Sequence, residues 1–285
     1  MSALFGPSGS SASFIAEGHK STVDAPKWLS ERGLDAFEYS AGNGVNGSID
    51  TFGKIGEQAK LYGIALSFHS PYYISLSGTD PEKRLKSLDY IGQSVEASEA
   101  MGANIIVIHT GSASKISRKE ALELSKDTVY KALEKFPDTA VSFGLETMGK
   151  LNQLGTLEEV LEICRMDRRL RPVVDWGHMN ARNIGGLFRT VDDCRRVFCA
   201  IGDTLGYEYA DRLHCHFSMI EYTDKGEKRH LTFEDTVYGP PYEPLMEAIY
   251  RDGYSPRIIC ESAGSQAEDA FTMKSYYTKL ITEGK

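Results

Sequence analysis

Eight short β-rich runs alternating with amphipathic stretches constrain the fold of this chain more than any other feature. The runs lie at residues 2–5, 36–39, 65–69, 105–109, 141–146, 172–175, 212–216 and 257–261, bounded by turn-forming residues. The stretches between them carry helix starts. Asp80-Pro81-Glu82 sets an N-cap before a proline at the first helical position, and Thr156 with Glu159 has the spacing of a capping box. Strand and helix repeated eight times implies a parallel sheet covered by helices. A chain of 285 residues is long enough to close that sheet into an α/β fold of the (β/α)8 TIM barrel type, which needs about 250 residues. Residues 1–285 are therefore expected to form a single TIM barrel domain. An open doubly wound sheet is the alternative, but no GxGxxG follows the first run to support a dinucleotide site.

The chemistry-bearing residues fall at the ends of these runs. Of the seven histidines, only His19 lies elsewhere. His69 ends the third run, His109 the fourth, Glu146 the fifth and Asp175 the sixth, with His178 in the loop beyond. His214 and His216 belong to the seventh, His230 to the loop after it, and Glu261 ends the eighth. In a barrel the C-terminal ends of all strands converge on one mouth, so these residues are expected to meet. Taken singly, each histidine reads as a hydrogen-bonded core residue. Together, several imidazoles and carboxylates buried at one mouth require cations to offset the cost of burying charge. Mixed imidazole and carboxylate donors without cysteine favour zinc, with manganese or iron as alternatives, over an all-oxygen magnesium or calcium cage.

Composition excludes several classes. The five cysteines are odd in number and lack CxxC spacing, so neither a disulfide framework nor a thiolate zinc site is expected. No run approaches the roughly 18 apolar residues of a membrane span, and the first residues lack the pattern of a signal peptide. A cytoplasmic protein is expected, without membrane partners. The net charge of −8 argues against a surface coated in basic residues, while allowing a local basic groove. The run from Gly6 to Ser11 could bring backbone amides to a phosphate, but reads more simply as a turn.

Five separated motifs carry a resemblance. His69-Ser70-Pro71-Tyr72, Ile108-His109-Thr110-Gly111-Ser112, Leu145-Glu146-Thr147-Met148-Gly149, Asp175-Trp176-Gly177-His178 and Glu261-Ser262 resemble successive motifs of the endonuclease IV family of apurinic/apyrimidinic endonucleases, in that family's order. The resemblance implies a zinc-dependent phosphodiesterase with two or three ions per chain, a monomer without nucleotide cofactor. Its substrate would be double-stranded DNA with abasic sites, cut 5′ to the lesion in base excision repair. Carried over residue by residue, it implies that His69 and His109 hold one metal and that Glu146 bridges it to a second. Asp175, His214 and Glu261 would complete the second, and His178 would serve a third. The family completes the third site with an Asp and a His two residues apart. Here the stretch reads Glu227-Lys228-Arg229-His230, so either Glu227 substitutes beside His230 or the third site is incomplete. His216 is expected to orient His214 or to supply a ligand itself.

A phosphodiester is anionic, so divalent ions are needed both to neutralise its oxygens and to generate a nucleophile near neutral pH. Glu261 or Glu146 would orient or deprotonate the attacking water. Tyr72 matches a position that engages the substrate, or else packs its own loop. The loop after the second strand, residues 40–47, is built of small residues, where bacterial members of the family place an Arg and large side chains that enter the helix. The alternatives are a metal-dependent sugar isomerase or epimerase on the same barrel and a noncatalytic metal-bound scaffold.

Overall fold

The computed structural model describes residues 2–284. Eight parallel strands form one sheet: β1 (Leu4–Pro7), β2 (Ala36–Ser40), β3 (Ala65–His69), β4 (Ile105–His109), β5 (Ser142–Glu146), β6 (Leu170–Asp175), β7 (His214–Phe217) and, after the antiparallel hairpin β8 (Ile220–Thr223) and β9 (Gly226–His230), β10 (Arg257–Cys260). The order β1-β10-β7-β6-β5-β4-β3-β2 leaves β1 and β2 as the two edges, and these meet. A parallel bridge joins Ser8 to Glu38, and the Asp35 and Gly9 amides donate to Phe5 and Glu38 carbonyls at 2.8 and 2.9 Å. The seam closes this tightly because residue 6 is glycine; a Cβ there would sit 1.7 Å from the Ala36 carbonyl oxygen. The result is the (β/α)8 barrel expected from the alternation.

Both helix starts form as the sequence indicates. Asp80 caps Pro81–Met101, its Oδ1 accepting from the Glu82 amide at 3.1 Å. Thr156 and Glu159 close a reciprocal capping box on Leu157–Cys164. Apolar faces of these helices pack on the outside of the strands, where Phe37, Phe68, Phe143 and Phe217 are buried in a continuous core. No helix among the described residues is long and apolar enough to cross a membrane.

Several local expectations are corrected. The first strand begins two residues later than expected, because pairing to β10 starts at Leu4 with Arg257. Arg212 lies outside β7, since the short helix Tyr207–Asp211 runs into it. His178 sits not in a loop but on the helix Trp176–Arg182, whose N-cap is Asp175. His230 likewise lies in regular structure, at the end of β9, because residues 220–230 fold back as a hairpin over the mouth.

Candidate metal centre

Every barrel strand that ends in a histidine or an acid delivers it to the mouth. The donor atoms form five overlapping groups: His69 and His216 share one with Glu261, His214 and His216 share a deeper one with Glu38, and the other three together include every donor of the mouth. In the first of these three, Nε2 of His69 and Nε2 of His109 lie 3.4 and 3.3 Å from Glu146 Oε2. His69 Nδ1 is 2.9 Å from the Ser70 carbonyl oxygen; a carbonyl only accepts, so Nδ1 carries a proton and Nε2 is the nitrogen left to ligate a metal.

The second group gathers Glu146, Asp175, His216 and Glu261. His216 Nδ1 lies 3.0 Å from Glu146 Oε1 and 3.6 Å from Glu261 Oε1. Glu146, fully buried, thus belongs to both the first and the second groups, as a bridging carboxylate must. Asp175 uses Oδ1 to cap the next helix, accepting from the His178 amide at 2.7 Å, which turns Oδ2 to the site.

The third group is His178, Glu227 and His230. His178 Nε2 is 3.4 Å from Glu227 Oε2, and the two imidazole centroids are 5.4 Å apart. The Nδ1 atoms are engaged elsewhere, with the Thr147 carbonyl at 3.1 Å and the Ser218 hydroxyl at 2.9 Å. Lys228 points away, paired with Glu221 at 2.6 Å. A β-bulge makes this arrangement: Tyr222 pairs with Glu227 but Glu221 pairs with Arg229, so Lys228 is an extra residue on its strand. The bulge absorbs it, and Glu227 and His230 both face His178 although three positions separate them.

His214 is not brought to the second group. In the barrel register His216 is level with Asp175 and His214 with Val173, two residues deeper. Side chains two apart on a strand point the same way but at different heights, so His214 meets another buried acid, Glu38, its Nε2 2.9 Å from Oε2. His216 takes the place expected of His214. Sequence reasoning misses Glu38; its one signal is that it is the lone acid within an apolar strand run. Tyr72 is 56% exposed and stacks on His109, with centroids 5.3 Å apart. In the run from Gly6 to Ser11 the Ser8 and Gly9 amides are spent on the barrel, reaching the Cys260 and Glu38 carbonyls at 2.9 Å.

The electrostatics call for cations. Burial works against the charged form of every group here. It raises Glu146 and Glu38, yet His216 with its neighbours overrides it and holds both carboxyls well below their ordinary range. Asp175 is raised by burial. Burial lowers the imidazoles too, but Glu146 holds His69 up at about 9, and Asp175 and Glu38 hold His178 and His216 well above the usual histidine value. For His109 burial outweighs the pull of Glu146 and, with the charge on His69, His178 and His216 adding to it, takes the ring down to about 3. Three imidazoles therefore gather protons to balance the acids, a job that divalent ions do better. Glu146 Oε2 and Asp175 Oδ2 are buried without a well-formed hydrogen bond, the imidazole nitrogens beside them standing at 3.2 to 3.4 Å, a costly condition that a bound cation relieves. The donor set fits mixed nitrogen and oxygen ligation of zinc or a similar ion.

Comparison with known proteins agrees with this architecture. A family model described as xylose isomerase-like TIM barrel matches residues 26–275. The probable endonuclease 4 of Acholeplasma laidlawii is 28% identical over 247 residues, covering 79% of this chain and 82% of that protein. Among solved structures, endonuclease IV from Thermus thermophilus superposes with a TM-score of 0.67 at 18% identity, over 98% of this chain and 99% of that one. A D-tagatose 3-epimerase-like protein superposes with a TM-score of 0.72 at 20% identity, over 99% of each chain. Both likenesses are of fold.

Proposed function

The chain belongs to the xylose isomerase-like TIM barrel family, and from that premise we propose that it is a metal-dependent phosphodiesterase of the endonuclease IV type, hydrolysing DNA on the 5′ side of an abasic site. The observation that supports this reading most is the third donor group. A single ion acting on a sugar needs about four protein ligands, and Glu146, Asp175, His216 and Glu261 already supply them. His69 and His109 on one side and His178, Glu227 and His230 on the other are then surplus; a cluster of ions uses them all.

In this reading His69, His109 and Glu146 hold one ion, Glu146, Asp175, His216 and Glu261 a second, and His178, Glu227 and His230 a third. Bound together, the ions would neutralise the phosphodiester oxygens and supply a nucleophile near neutral pH. Glu261, partly exposed while the other acids of its group are buried, faces the open side of the mouth and orients the attacking water. Tyr72 presents its exposed ring at the rim, where it shields His109 and meets the substrate. The name of the Acholeplasma relative lends support from sequence.

The test is incubation of zinc-supplemented protein with a duplex bearing one tetrahydrofuran abasic analogue, with and without chelator. Chelator-sensitive cleavage 5′ to the analogue, leaving a 3′ hydroxyl, is the expected result. A second reading, a metal-dependent sugar epimerase or isomerase, is favoured by the self-sufficiency of the four-residue group. It requires one ion per chain and no cleavage of the duplex.

A further inference from the structure

Beside the metal centre, on the same rim, the loop after β3, the first turns of the helix Pro81–Met101 and the loop after β4 enclose an open groove of about 540 Å³. Its walls carry three lysines, Lys83, Lys86 and Lys115, and two tyrosines, Tyr73 and Tyr90, while the hydroxyls of Ser77 and Ser112 are spent within the wall, on the Ser112 carbonyl and on Ser114 Oγ. On a chain of net charge −8 this is a local concentration of positive charge. Lys86 and Lys115 are exposed and make no ion pair within 4.0 Å among the described residues. One acid, Asp80, lines the groove, but its Oδ1 caps the helix and its Oδ2 lies 3.6 Å from Lys83. The two rings meet edge to face with centroids 4.6 Å apart, and Tyr73 keeps 48% of its surface exposed.

Two loops link the groove to the metal centre. Tyr72 turns to His109 and the next residue, Tyr73, turns to the groove; Ser112, on the opposite wall, lies three residues after His109. The small loop after β2 accommodates both tyrosines. A Cβ on Gly42 would sit 2.3 Å from the Tyr72 ring, and one on Gly44 would sit 3.1 Å from the Tyr73 hydroxyl. Those glycines leave that loop without a side chain large enough to enter a paired helix, and give the rim an aromatic ridge instead.

Spaced ammonium groups and an exposed aromatic face are what a single nucleic-acid strand requires: charge for its phosphates and a surface on which an unpaired base can stack. A compact anion would need converging donors rather than a row. We propose that this groove seats an unpaired stretch of the nucleic-acid strand that runs into the metal centre, with its phosphates on Lys86 and Lys115 and a base on Tyr73. The proposal rests on the nuclease reading for the identity of the polymer.

The test is fluorescence anisotropy with a labelled single-stranded oligothymidine, which has no abasic site, across a series of salt concentrations. Wild-type protein is compared with the double variant Lys86→Glu, Lys115→Glu and with Tyr73→Ala. Both variants alter exposed side chains, and unchanged melting temperature and metal content serve as controls. The double variant should bind at least about tenfold more weakly, with the slope of log affinity against log salt reduced by about 1.4, as expected for two lost single-strand phosphate contacts. Tyr73→Ala should weaken binding about tenfold with little change in slope, since stacking is not electrostatic. Equal binding by wild type and the double variant, or no binding by wild type, overturns the proposal. Cleavage of the tetrahydrofuran duplex in the same preparations separates the two readings. Cleavage without lysine-dependent oligothymidine binding overturns the groove and leaves the nuclease, whereas lysine-dependent binding without cleavage supports the groove and removes the nuclease.

Discussion

Nε2 of His216 lies 3.0 Å from Oε1 of Glu38, while Nδ1 of the same ring faces Glu146 at 3.0 Å. An imidazole that offers one nitrogen to a metal must carry its proton on the other, and a carboxylate beside that other nitrogen fixes the tautomer and the ring's orientation. Glu38 is itself held, since its Oε2 accepts from Ser67 Oγ at 2.9 Å and lies 2.9 Å from His214 Nε2. The deep layer of the barrel thereby supports the layer at the mouth.

Glu38→Ala is expected to lower metal affinity at the second group by about 10- to 100-fold, the usual effect of removing such a support. Chelator competition measures it, with Glu38→Gln as the isosteric control. Unchanged affinity in both variants would mean that Glu38 merely pairs with His214 inside the barrel.

The bulge in β9 makes a prediction about neighbouring residues. His178→Ala and Glu227→Ala should each lower bound metal by about one ion per chain, whereas Lys228→Ala should leave it unchanged, because Lys228 faces Glu221 on the outside. Elemental analysis of the purified variants decides. Loss of metal on replacing Lys228, or none on replacing Glu227, contradicts the placement of the third site.

The eight strands are legible in the sequence because a parallel barrel strand is a short apolar run whose end is marked by the chemistry it carries, as at Ile105–His109. The choice between His214 and His216 is not. Both side chains point into the barrel, and which one reaches the mouth depends on where β7 pairs with β6 and β10, a property of register rather than of local sequence. Glu38 is hidden for a related reason, its partners lying 29, 176 and 178 positions away. The spacing of Glu227 and His230 reads as a defect in the third site, because a bulge shows itself only in pairing.

The imidazoles give the metal-free protein a distinctive pH dependence. His69 is raised in the folded state from 6.5 to about 9, so its contribution is fully present below pH 6.5 and is lost as pH rises toward 9. His178 and His216, also raised, act in the same direction. His109 and His214, lowered by burial to about 3 and about 4, stabilise above pH 6.5 and lose that contribution as pH falls below it. Chelated protein should therefore be most stable near pH 6.5. His69 alone corresponds to about 3 kcal/mol, or a fall in melting temperature of roughly 5 °C by pH 9. Metal ions replace the protons, so the metal-loaded protein should not show the alkaline decline. Parallel melting curves for chelated and metal-loaded protein between pH 6 and 9 check this, and an equal decline in both would contradict it.

Glu261 follows β10 and hangs from a backbone bond, its amide donating to the Phe217 carbonyl at 3.0 Å, so its side chain is not needed to close the barrel. Glu261→Gln should abolish cleavage of the tetrahydrofuran duplex while circular dichroism and melting stay near wild type. Turnover at the wild-type rate would refute its role in orienting water.

The last prediction concerns the glycine beneath Tyr72. A methyl group on Gly42 would lie 2.3 Å from the ring, which is the far end of an exposed side chain rather than backbone. Gly42→Ala should therefore swing Tyr72 off His109 without unfolding the loop. If Tyr72 meets the substrate, the displaced ring loses a stacking contact, and KM for the abasic duplex should rise about tenfold. The metal count should not change, because no donor atom moves, and kcat should stay within about twofold. A fall in kcat with KM unchanged would mean that Tyr72 acts through His109 on the metal group instead of on the substrate. Tyr72→Phe distinguishes the ring from its hydroxyl: it keeps the stack, and should keep KM near wild type in the Gly42 background of the natural chain.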